Sequence, residues 1–142
     1  MKNNNIRKRI RAGLLLIFLA SILGACLSTT EINYNDPAPP EKKCTLIIAS
    51  NFTVTGFDGK SVNWAAASGN DWMTVQIPEG NRVFILNYQS KSRESSYKQE
   101  NIRYEHAGFT AGRTYRMYGE EGMAGTGGAG IRILRIKVEL VK

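Results

Sequence analysis

From Cys44 onward, apolar residues recur at every second position, and Gly, Pro or an Asp-Gly pair breaks the recurrence at intervals near ten residues. In "TLIIASNFTVTGF", Leu46, Ile48, Phe52 and Val54 share one parity, and Thr45, Thr53 and Thr55 share the other. Successive strand side chains point to opposite faces, so such a segment buries one face and wets the other, as one strand or as two in line. Asp58-Gly59 follows, and "KSVNW" resumes the alternation at Val62 and Trp64. That pair between alternating runs is a strong hairpin signal, because both residues tolerate the positive φ of a tight turn. "WMTVQI" then meets the turn "PEGN", and "RVFILNY" leaves it with Phe84, Leu86 and Tyr88 opposed to Val83, Ile85 and Asn87. The polar, mixed-charge stretch "QSKSRESSYKQEN" reads as an exposed loop over residues 89–101, and "IRYEHAGF" and "RTYRMY" read as short strands separated by "TAG". In the last run, "IRILRIKVELV", Ile131 and Ile133 fall on one parity while Leu134, Ile136, Val138 and Leu140 fall on the other. The slip predicts a β-bulge near Ile133–Leu134. No segment of this region carries a helical period. The expected fold is all-β, a small antiparallel β-sandwich of roughly seven or eight strands over residues 44–142. About 100 residues suffice for such a core without a disulfide or metal.

The first 25 residues have a different character. Lys2, Arg7, Lys8, Arg9 and Arg11 precede an apolar run from Ala12 to Leu23, which ends in the small residues Gly24 and Ala25. That layout is a secretory signal, and its core is shorter than the roughly 20 apolar residues that a membrane span needs. The leader also accounts for most of the charge. The chain has nineteen basic and twelve acidic residues, net +7, and five of the basic residues lie in the leader while every acidic one follows Cys26. The remaining fourteen basic residues against twelve acidic ones leave the domain near neutral. Nucleic-acid binding, which needs a basic face on the domain itself, is not expected.

Cys26 closes the leader, and two fates are open to it. Cleavage after Ala25 by the ordinary signal peptidase would leave its thiol free to pair with Cys44. Alternatively, Leu23-Gly24-Ala25-Cys26 resembles the lipobox of bacterial lipoproteins, in which a leucine and two small residues precede an obligatory cysteine. The resemblance implies a diacylglycerol thioether on the Cys26 sulfur and cleavage before it. Each buried methylene contributes about 0.8 kcal/mol, so two or three acyl chains hold where one is marginal. The membrane would then be a partner through the acyl chains on Cys26, and Cys44 a lone buried thiol. In enteric-type sorting an aspartate after the lipidated cysteine retains the protein at the inner membrane. Leu27 stands there, which favours the outer membrane of a bacterial envelope. Residues 26–43, with three of the four prolines, are expected to form a flexible tether reaching on the order of 50 Å when extended. The division is thus a signal peptide over 1–25, a tether over 26–43 and a sandwich over 44–142.

The domain offers a second resemblance. Leu46, Ile48 and Ser50, the Asp58-Gly59-Lys60 turn with Val62, and Pro78, Gly80 and Tyr88 occupy the places of an L-x-I-x-S strand, a D-G-K turn and a P-x-G turn into an aromatic-bearing strand. The pattern resembles PEGA-type and related small β-sandwich domains of bacterial surface proteins, over about Leu46 to Tyr118. "FTAGRTYRMY" is similar to the closing segment of such lipoprotein domains. The matched residues are turn and core residues, and the resemblance implies a non-catalytic envelope module.

Chemistry-bearing motifs are sparse. His106 is the single histidine, with no H-x-x-x-H or C-x-x-C spacing to make a metal site or cofactor mount. It reads as an exposed or capping residue near a strand end. Ser50, Ser61 and Ser68 lack a nucleophile elbow. Glu120-Glu121 reads as a loop pair, and "GMAGTGGAG" as a hairpin connection, since neither a helix nor Lys-Ser/Thr follows to make a phosphate loop. No catalytic residues and no cofactor are expected. Aromatic residues are the remaining lead for a glycan or small ligand, with Trp72 and Tyr88 as candidate contacts and Trp64 expected inside. The expected role is structural or in protein interaction, with an envelope protein or a glycan as partner.

Overall fold

The computed structural model describes residues 29–90, 97–124 and 131–141. They form nine strands: β1 (Thr29–Ile32), β2 (Lys43–Ala49), β3 (Phe52–Phe57), β4 (Lys60–Trp64), β5 (Trp72–Pro78), β6 (Gly80–Gln89), β7 (Lys98–Phe109), β8 (Thr114–Ala124) and β9 (Ile131–Leu140). The only other regular element among them is a 3-10 turn at Pro40–Lys42. No helix among the described residues is long and apolar enough to cross a membrane. One sheet has five strands in the order β1-β5-β2-β8-β9, and the other has four in the order β4-β3-β6-β7.

The alternation read from sequence decides which side chains the two sheets trap between them. Leu46 and Ile48 from β2, Met73, Val75 and Ile77 from β5, and Met117 from β8 face Phe52 and Val54 from β3 and Phe84 and Leu86 from β6, all fully buried. Trp64 joins this core, as its parity predicts, and so does Cys44. "TLIIASNFTVTGF" is two strands, and the Ser50–Asn51 turn carries the chain from one sheet to the other while both strands keep their apolar parity inward. At the β3–β4 hairpin, Asp58 and Gly59 take φ of 47° and 78°, the two positive values that the tight turn demands. The Asp58 carboxylate then accepts hydrogen bonds from the Val83 amide (2.9 Å) and the Arg82 guanidinium (2.8 Å), tying the turn to β6.

Eight strands, β2 to β9, make up the region expected to hold seven or eight, and β1 lies before it. Four expectations need correction. The five-stranded sheet is mixed, because β1 pairs parallel with β5 and β2 parallel with β8. The segment read as a tether is, in its described part, folded onto the sandwich. Thr29–Ile32 ladder with Trp72–Val75, and Thr30 Oγ1 accepts hydrogen bonds from the Ala67 amide (2.6 Å) and Asn70 Nδ2 (2.8 Å). Tyr34 packs edge-on against Phe57 and Trp64 at 5.4 and 5.1 Å. Four residues are too few for a period to register in sequence, and the neighbouring prolines masked two apolar anchors, Ile32 and Tyr34. The polar loop over 89–101 is shorter than expected, since Lys98–Asn101 open β7.

The bulge expected near Ile133–Leu134 is absent too. The β8–β9 ladder runs without a shift from Tyr115↔Leu140 to Ala124↔Ile131. Shifts occur instead within the pairings of β3 and of β6 with β7. The last β8 residue paired to β2 is Met117, so the outer half of the β8–β9 hairpin extends past the five-stranded sheet's centre. Leu134, Ile136 and Val138 share one parity and pack against the core while the ladder keeps its register.

Candidate functional site

The Ser50–Asn51 turn stands at one end of the sandwich and separates two concavities. On one side is a groove of about 610 Å³ lined by Asn51, Thr53, Asn87, Gln89, Lys98 and Glu100. Thr53, Asn87, Gln89, Lys98 and Glu100 are polar residues of β3, β6 and β7, and Asn51 belongs to the turn. Asn87 Oδ1 accepts the Asn101 amide at 2.9 Å, where Asn101 takes a φ of 53°. The Gln89 amide donates to the Asn51 carbonyl at 2.9 Å. The side-chain oxygen Oδ1 of Asn51 is buried and finds no donor among the described residues. A buried acceptor without a donor is costly, and Asn51 borders both concavities. On the other side, Ala49, Ser50, Asn51, Asp71 and Trp72 line a shallower depression of about 310 Å³.

The two aromatic candidates therefore fall on opposite sides of the turn. Trp72 is half-buried on the outer face of the five-stranded sheet, and the Arg116 guanidinium lies 5.1 Å from its ring centroid. That cation–π contact occupies a face that a sugar would stack upon. Tyr88 is only 4% exposed. Its ring packs 5.1 Å from Phe52, and its hydroxyl donates to Glu121 Oε1 at 2.6 Å. Tyr88 is a core residue, so the expectation of an aromatic platform built from these two is not met. Parity already placed Tyr88 with Phe84 and Leu86, and that signal outweighs its hydroxyl.

The other chemistry-bearing residues are scattered. Glu120 and Glu121 lie in β8 rather than in a loop. Glu120 pairs with Lys137 at 2.9 Å. Tyr118 donates to Glu139 Oε1 at 2.6 Å, and this bond to a carboxylate lifts its phenol to about 12. Cys44 is buried and free, its thiol pushed up to about 11 by desolvation, which leaves it inert as a nucleophile. His106 is not an exposed cap but a half-buried residue within β7, among the rings of Phe109 (4.5 Å), Tyr115 (6.3 Å) and Tyr104 (6.5 Å). Among the described residues no three His, Cys, Asp or Glu side chains converge as a metal site. Cys26 lies outside the described residues, as do the residues 125–130 of the glycine-rich connection.

Desolvation lowers the His106 pKa below the ordinary imidazole value. As pH falls through the ordinary range, the unfolded chain takes up a proton that the folded chain refuses, so folding stability declines. The loss is complete once pH passes the depressed folded value. Urea midpoints at pH 7.5 and pH 5 are expected to drop more for wild type than for His106→Gln. Equal drops would show that His106 contributes nothing to the acid sensitivity.

Three comparisons, with models of protein families, with curated proteins and with solved structures, find no match to this chain. The fold and site define an all-β, sandwich-like domain with a polar end groove.

Proposed function

We propose that this chain is a lipid-anchored protein of a bacterial cell envelope, held to the membrane by acyl chains on Cys26, with its sandwich serving as a non-catalytic structural or protein-interaction module. The observation that carries the reading is Leu23-Gly24-Ala25-Cys26 at the end of a basic, then apolar leader. The burial of Cys44 in β2 supports it: a thiol packed into the core beneath Ile77, to whose carbonyl Sγ lies 3.6 Å away, is poorly placed to bridge to Cys26. Leu27 after the anchor favours the outer membrane. The PEGA-like turn and core residues belong to the same proposal, since Leu46, Ile48 and Tyr88 are buried and Asp58-Gly59 is the β3–β4 turn.

A second reading, a module for a glycan or another small polar ligand, is favoured by one observation, the orphaned Oδ1 of Asn51, a residue that lines the polar end groove. Fractionation of cells tests the first reading. Wild type is expected in the membrane pellet, resistant to high salt and released by detergent, whereas Cys26→Ala accumulates in the membrane or cytosol as an uncleaved, unacylated precursor. A Cys26→Ala chain that fractionates and matures as wild type does would overturn the anchor. Saturable oligosaccharide binding lost in Asn51→Leu would move the weight to the second reading.

A further inference from the structure

We propose that a second copy of this chain pairs with the free edge of β9, antiparallel about a two-fold axis at Val138, joining two five-stranded sheets into one. The pairing belongs to the domain and does not depend on the fate of Cys26. Four strands end the two sheets: β1, β9, β4 and β7. Three of these edges are blunted. β1 has four residues, and β4 has five with a register shift in its ladder. β7 is long but irregular, with positive φ at Asn101 (53°) and Gly108 (89°) and two shifts against β6. β9 runs ten residues in unbroken register with β8, and among the described residues no strand pairs with its other side. A long, straight, uncovered edge is a template for another strand.

The Val141 amide donates to the Thr114 carbonyl at 2.8 Å, so the odd-numbered residues of β9 turn their main-chain groups toward β8. The amides and carbonyls of Leu134, Ile136, Val138 and Leu140 therefore point outward. Charge then selects the register. An axis at Ile136 sets Arg135 against Lys137 of the second copy, and an axis at Lys137 or Glu139 sets that residue against itself. Among these positions only Val138 puts Lys137 opposite Glu139 in both directions, as closely spaced pairs of opposite charge. Val138 then meets itself, Ile136 meets Leu140, and Arg135 meets Val141. The three pairs centred on Val138 exchange about six main-chain hydrogen bonds, two per pair. Leu140 and Val141 are exposed, at 49% and 38%, and the pairing covers them with the Ile136 side chain and the aliphatic stem of Arg135. Lys137 already binds Glu120, and Glu139 accepts the Tyr118 hydroxyl. Both side chains thus lie along the outer face, where those of the second copy would meet them.

The test is oxidative cross-linking of the purified full-length protein in detergent. Val138→Cys brings two thiols face to face, with Cα atoms about 5.5 Å apart, inside the range of a disulfide. Ile136→Cys, on the same face, sits four residues from its own counterpart and beyond that range. Cys44 is buried, and wild type under the same oxidant reads any dimer formed through Cys26. Val138→Cys is expected to form the covalent dimer at least tenfold faster than Ile136→Cys or wild type. Adding Glu139→Lys to Val138→Cys should slow that reaction, and adding Lys137→Glu as well should restore it. Equal rates at 138 and 136, or a rate indifferent to the charge reversals, would overturn the pairing. Sedimentation of wild type, which needs no substitution, should move from monomer toward dimer as concentration rises. A monomer throughout the series would overturn it as well.

Discussion

Phe84→Ala is expected to lower the folding free energy by about 3–5 kcal/mol, the range for emptying a fully buried aromatic site. Phe84 lies in β6, between β3 and β7 in the four-stranded sheet. It is fully buried, with ring centroids 5.2 Å from Phe57 and 6.3 Å from Phe109. The truncation loses the transfer energy of the ring and the edge and tilt contacts with both neighbours. Its surroundings are two hydrogen-bonded ladders that cannot collapse into the void. Domains of this size are stable by only about 5–15 kcal/mol, so the variant would be close to unfolded at growth temperature. Urea denaturation should show a large fall in midpoint at an unchanged slope. A loss below about 1 kcal/mol would mean that the two sheets do not close over this residue.

Gly119→Val is the second large effect, and it acts by addition rather than removal. A Cβ at position 119 would lie 2.8 Å from Leu134 Cδ1, 2.9 Å from Tyr88 Cε2 and 3.1 Å from Phe52 Cζ. Two of these belong to rings held by the core, so the strain passes to the backbone of β8. Overpacking of this kind costs about 1–3 kcal/mol. The outer half of β8 would lift away from Phe52, and the 2.6 Å bond from Tyr88 to Glu121 would break. Hydrogen exchange should accelerate at residues 119–123 in the variant, while the β2–β5 ladder stays protected until global unfolding. Unchanged exchange in β8 would contradict the close approach of the two sheets at this glycine.

Much of the core was legible because the side-chain period in a half-buried strand admits one answer. Leu46, Ile48, Phe52, Val54, Phe84, Leu86 and Trp64 all follow their parity to the interior. The Asp58-Gly59 turn was equally plain. Pairing was not legible. β2 and β3 run on in one parity, yet lie in different sheets, and β8 joins β2 in parallel across some sixty intervening residues. Nothing local encodes such a contact, since only closure of the whole core selects it. β1 escaped because its ladder is short and its anchors, Ile32 and Tyr34, are set among prolines. Tyr88 and His106 misled for one reason: a polar atom on an aromatic ring was weighed above the ring's apolar area. The groove around Asn51 left no signal, because its lining is made of ordinary polar residues from three strands and a turn.

The central claim is the anchor, and intact mass on membrane-extracted protein tests it most directly, with wild type beside Cys26→Ala. The account predicts a wild-type mass equal to residues 26–142 plus acyl chains, with that species missing from the mutant. A wild-type chain beginning at Cys26 without acyl mass, or two hydrogens light from a bridge to Cys44, would contradict it and make this a freely secreted domain.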